Sequence, residues 1–178
     1  RHIGHRFYFR PDEVALLAEP KILIAGIGNI FLGDDGFGVE VVRQLLQREH
    51  PAQLVIKEFG IRGFDLGVAL AENYDAVILV DAMSHGGAPG DVFLLEPDLR
   101  ELDEHALVDA HELTPLHALA MGKRLGAKYQ QVFVVGCEPQ SLTEQIGLSE
   151  IVQRSIPDAI LMIDALTQKL CTQQEFPK

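Results

Sequence analysis

The stretch "ILIAGIGNIFLGDDGFGVEVVRQLL", residues 22–46, passes from an unbroken apolar run through two glycines into an amphipathic pattern. The run reads as a strand covered on both faces. After it, Val39, Val42, Leu45 and Leu46 recur at the near-3.6 spacing of a buried helical stripe. The unit is a strand, a tight turn and a helix, an arrangement that often docks a phosphate on the helix N-terminus. Here the phosphate reading fails. The third glycine of a G-x-G-x-x-G fingerprint would fall at Phe31, and no Gly-Lys-Ser/Thr follows. Asp34 and Asp35 would also repel a pyrophosphate. One aspartate can cap a helix and meet its positive dipole, but two adjacent ones cannot both be the same N-cap.

Outward from this unit, continuous apolar runs recur: "QLVIKEFG" (53–60), "AVILVDA" (76–82), "DVFLLEP" (91–97) and "QVFVVGCEP" (131–139). Helical patterns fall at about 36–49, 62–73, 112–126 and 149–170. This alternation predicts an α/β fold, a three-layer α/β/α sandwich around a mostly parallel, twisted sheet of about five strands. Residues 84–91, "SHGGAPGD", read as a Gly-rich surface loop, and 99–110 are too mixed to assign. The chain divides into an N-terminal extension (1–20), one domain (21–172) and a short tail (173–178).

The 178 residues carry a net charge of −11, which argues against a nucleic-acid or anionic-membrane surface. No apolar stretch reaches the ~18 residues that span a bilayer. The two cysteines, Cys137 and Cys171, have neither CxxC spacing nor a disulfide-dense pattern, so a reducing cytoplasm is expected.

Chemistry concentrates at strand ends. Asp81 closes a buried strand at its carboxyl end, where open α/β sheets place their ligands. Read singly, it fits a loop aspartate capping the next turn equally well. His111 precedes an amphipathic helix, but "HELTPLH" is not H-E-x-x-H, because Pro115 stands where the second histidine is needed. A lone histidine is more often structural, and His117, His85 and His105 have no stronger case. Together, Asp35, Asp81 and His111 would make an O,O,N set suited to a first-row divalent metal with open positions.

These residues bring the sequence close to a known family. "GIGNIFLGDDGFGVEVV" (26–42), "VILVDA" (77–82), "DAHELTPLHAL" (109–119) and "VVGCEPQSLTEQIGLSE" (134–150) resemble, in order and spacing, the hydrogenase maturation proteases. The resemblance implies a phosphorylase/hydrolase-like sandwich. It also implies a cytoplasmic endopeptidase that removes the C-terminal extension of a nickel–iron hydrogenase large-subunit precursor once nickel is inserted. Asp35, Asp81 and His111 match the family's two acidic ligands and its histidine, both as metal-binding and as catalytic residues. The metal is nickel, supplied by the precursor, with other divalent metals expected to substitute. The expected partner is that precursor, with no nucleic acid and no membrane, and the chain is expected to be a monomer. The alternatives are a non-catalytic nickel metallochaperone and a related α/β peptidase acting on another precursor.

Two departures stand out. Where many relatives carry a Gly-Gly-Thr-x-Gly loop, this chain reads "EFGIRG" (58–63), with Glu58 near an acidic position and Arg62 a new charge. This reports either a different precursor specificity or a structural turn at Gly60 and Gly63. Cys137 reads as a small buried thiol at a strand end. Asp34 reads as a helix cap beside the ligand Asp35.

Overall fold

A computed structural model describes residues 20–99 and 115–172. Five strands form one sheet: β1 (Ile22–Ile27), β2 (Leu54–Gly60), β3 (Ala76–Ala82), β4 (Val92–Leu95) and β5 (Gln131–Cys137). Their order is β2-β1-β3-β5-β4, parallel throughout except for the antiparallel edge strand β4. The helices are α1 (Phe37–Leu46), α2 (Gly63–Leu70), α3 (Pro115–Arg124) and α4 (Glu150–Thr172). A 3-10 turn, Gly33–Gly36, leads into α1.

Strand periodicity divides the core in two. Ile22 and Ile24 face α1 and α4, packing with Val41, Val42, Ile156 and Ile163, while Leu23 and Ala25 face α2 and α3, packing with Leu66, Leu70 and Leu119. Both faces of β1 are thereby buried, which is why the strand reads as one apolar run instead of alternating. This is the expected α/β/α sandwich. The helical stripe differs in detail: Leu46 is exposed, and Val41 joins Phe37, Val42 and Leu45 inside. Leu46 is the last residue of α1.

α1 meets the sheet backbone to backbone. A Cβ on Gly26 would stand 2.4 Å from the Gly38 carbonyl oxygen, and one on Gly38 would stand 1.9 Å from that of Val80. The glycine that lets the helix close on the strand is thus Gly38. It sits well beyond the Phe31 position because the 3-10 turn lengthens the connection. Among the described residues no helix is long and apolar enough to cross a membrane.

Candidate active site

The strand order reverses direction at β1. Chain leaving β1 runs to β2 on one side, and β3 lies on the other, so a crevice opens beyond the carboxyl ends of β1 and β3. Asp35 and Asp81 meet in this crevice.

Gly28 makes the meeting possible. Its φ of +119° is a conformation that side chains resist, and its N–H donates to the Gly60 carbonyl of β2 at 3.1 Å. A Cβ there would stand 1.7 Å from the Asp35 carbonyl oxygen and 3.7 Å from Asp81 Oδ1, so Gly28 is wedged between the two acids. The Asn29 N–H donates to Asp35 Oδ2 at 2.6 Å, and Asn29 Oδ1 accepts from the Phe31 N–H at 3.0 Å. No bond among the described residues occupies Asp35 Oδ1. Burial, and then the Asp35 charge, push the Asp81 carboxyl up to about 7, with the Ala82 amide opposing them. Among the described residues no cationic side chain contributes to that shift. Within those residues the pair has no positive partner, and a divalent cation would relieve its repulsion.

Two of the three expected ligands therefore come together. His111 lies outside the described residues, and among those described no third His, Cys, Asp or Glu joins the pair in a metal-holding cluster.

Asp34 has a different task from the one its sequence position implies. It caps no helix of its own: the 3-10 turn and α1 have no side-chain cap. It is fully buried and accepts four bonds from a distant segment. Oδ2 takes the N–H groups of Gln140 and Ser141, both at 2.9 Å, and the Ser149 hydroxyl at 3.0 Å; Oδ1 takes the Ser149 N–H at 2.6 Å. Ser149 immediately precedes α4 and caps it through Val152 N–H. Asp34 thus fastens the start of α4 to the turn that carries Asp35.

Glu138 was not singled out by sequence, although it directly follows β5, whereas Asp81 is the next-to-last residue of β3, before Ala82. The contrast lies in their donors. Glu138 Oε2 accepts the His85 N–H at 2.7 Å and the Gly87 N–H at 3.1 Å. The His85 amide most of all holds its carboxyl below the usual range, with Gly87, Ser84 and Gly86 adding to the effect. This carboxylate organises the 84–91 loop, whereas burial and the Asp35 charge disfavour the ionised form of Asp81. His85 is exposed and stacks on Phe93, with ring centroids 4.9 Å apart.

The remaining candidates are structural. Glu58 is gripped by the Arg43 guanidinium through Nε at 3.0 Å and Nη2 at 3.2 Å, which turns it toward α1. Arg62 donates to the Glu58 and Phe59 carbonyls and lies 3.4 Å from Asp65. With Gly60 at φ +57°, "EFGIRG" is a self-bonded turn leading into α2. Cys137 is buried, 3.3 Å from Ser155 Oγ, and burial pushes its thiol up, so no thiolate nucleophile forms there. Around the acids, Phe31, Ile61, Phe64, Leu142 and Ile146 are exposed, Ile146 by 79%. All five lie in segments that follow the carboxyl ends of β1, β2 and β5.

The comparisons with known proteins agree with this architecture. The profile of the hydrogenase maturation protease family matches residues 39–165. The hydrogenase 2 maturation protease of Escherichia coli is 33% identical over 146 residues, covering 79% of this chain and 86% of that protein. The solved structure of the hydrogenase maturating endopeptidase HybD from E. coli superposes with a TM-score of 0.67 at 30% identity, over 84% of this chain and 93% of that one. A hydrogenase 2 maturation peptidase from a Thaumarchaeota archaeon gives 0.64 at 31% identity, over 82% and 97%.

Proposed function

The chain belongs to the hydrogenase maturation protease family, and from that premise we propose that it removes the C-terminal extension of a nickel–iron hydrogenase large-subunit precursor after nickel insertion. The observation that carries this reading is the acid pair, Asp35 and Asp81, which has no cationic partner among the described residues, in the crevice between β1 and β3. The nickel arrives with the precursor and is part of the substrate. Asp35 and Asp81 engage it with His111, two carboxylates offsetting its charge and an imidazole adding a neutral donor. A precursor without nickel meets two like charges and no bridging cation, so it binds poorly. Only differential contact of this kind turns a peptidase into a checkpoint. The metal polarises the scissile carbonyl or activates a water beside it, chemistry that needs no serine or cysteine nucleophile. The exposed apolar side chains of the segments after β1, β2 and β5 support the capture of a polypeptide.

The test is mass spectrometry of nickel-loaded and nickel-free precursor after incubation with the chain. The loaded precursor is expected to lose its extension and the nickel-free one to stay intact. Asp35→Asn and His111→Ala are expected to slow cleavage by about 100-fold or more, with circular dichroism unchanged. Equal processing of both precursors by all variants would sink the metal reading. Tight nickel binding with no change of precursor mass would point to a metallochaperone instead.

A further inference from the structure

We propose that Asp34 is a positioning residue that locks residues 139–149 onto the Asp35 turn, so that their exposed apolar side chains and the acid pair act as one rigid receptor. This rests on the peptidase reading above and deepens it. Asp34 does not face the crevice; it is fully buried, and among the described residues its four side-chain bonds run to Gln140, Ser141 and Ser149. The backbones on either side are laced together as well. Asp34 N–H donates to the Ser141 carbonyl at 3.0 Å, Gly33 N–H to that of Gln145 at 2.8 Å, and Gln145 N–H to that of Phe31 at 3.0 Å. Gly33, at φ +59°, admits this contact: a Cβ there would stand 3.0 Å from the Ser141 carbonyl oxygen.

The joined segments carry different parts of the site. Residues 29–35 hold Asp35 and the exposed Phe31, and residues 139–149 carry the exposed Leu142 and Ile146. One buried carboxylate, saturated by charge-assisted bonds, connects them. Because nickel arrives with the precursor, loosening either segment weakens capture of the same substrate. The loss therefore falls on KM more than on kcat.

Asp34→Asn keeps the volume but aims an amide at a cluster of donors, and Ser149→Ala removes one donor to Asp34 together with the cap on the Val152 N–H. Amide hydrogen exchange by mass spectrometry is followed in both, beside steady-state cleavage of nickel-loaded precursor. Expected is exchange about tenfold faster in both 29–35 and 139–149, with β1, β3 and β5 unchanged. KM is expected to rise about tenfold, with kcat altered less than about threefold. Faster exchange in 139–149 alone, or a lowered melting temperature with unchanged KM, overturns the proposal. If Asp34→Asn does not fold, Ser149→Ala decides by the same two measurements. If wild-type chain leaves every precursor intact, the peptidase reading fails. Exchange then still decides: loosening of both segments supports the lock, and loosening of one refutes it.

Discussion

Asp81→Asn is expected to abolish processing and at the same time to make the protein more stable. Burial and the Asp35 charge raise the Asp81 carboxyl to about 7 in the folded chain, against about 3.9 for an exposed aspartate. Between those two values the folded state holds a proton that the unfolded state has lost. Stability therefore falls as pH rises from about 4 to 7, and above 7 the full cost of the charged pair is present. An asparagine can still accept the Ala82 amide bond but carries no charge. At pH 8 the variant should gain on the order of 2–4 kcal/mol, equivalent to a melting temperature about 5–10 °C higher. The gap should close as pH is lowered toward 4. Thermal melts of both proteins across this range, beside the precursor assay, give the answer. A variant that is destabilised at pH 8 would show Asp81 to be a structural aspartate. An acid pair kept at the expense of stability has a functional reason to be there.

Gly38→Ala is expected to do the reverse, weakening the fold and the activity together. At an exposed helical site this exchange commonly stabilises by about 1 kcal/mol, because glycine has more backbone freedom to lose. At Gly38 the new methyl would stand 1.9 Å from the Val80 carbonyl oxygen and 2.5 Å from that of Ile27. Those oxygens belong to the sheet and cannot step aside without breaking its ladder. α1 must instead lift, loosening the packing of Phe37, Val41, Val42 and Leu45. The cost should reach about 3 kcal/mol or more, the upper range for overpacking. Because Asp34 and Asp35 lie in the turn that begins α1, the site would be displaced as well. Chemical denaturation followed by circular dichroism measures this; a midpoint equal to wild type would refute the contact.

These two residues also mark the limits of sequence reading. The strands were legible because burial on both faces writes them as unbroken apolar runs, and Asp81 stood out as the charge that ends one. Asp35 was legible from its place in the turn after β1. Gly38 was not, because the fingerprint assumes a short turn and the 3-10 insertion moves the close contact further along α1. Nor was the difference between Asp81 and Glu138, two acids near the carboxyl ends of neighbouring strands. It is decided by the backbone amides of the 84–91 loop, which fold back on Glu138. The role of Asp34 was hidden for a similar reason, since its partners lie more than a hundred positions away. Local pattern shows an acid at a helix start, and only the tertiary fold shows which helix it serves.

That separation has a consequence for biosynthesis. The turn bearing Asp34 and Asp35 is made early, while the last partner of Asp34, Ser149, follows 115 positions later. At about 5–20 residues per second on the ribosome, that interval is roughly 6–23 s. Strand β4 also waits, since it precedes β5 in the chain yet pairs only with β5. During translation the early half can gather its apolar faces, but its buried acid has nothing to bind. The Asp35 turn is fastened only once residues 140–149 have been made, so a nascent chain that stops short of Ser149 lacks the assembled crevice.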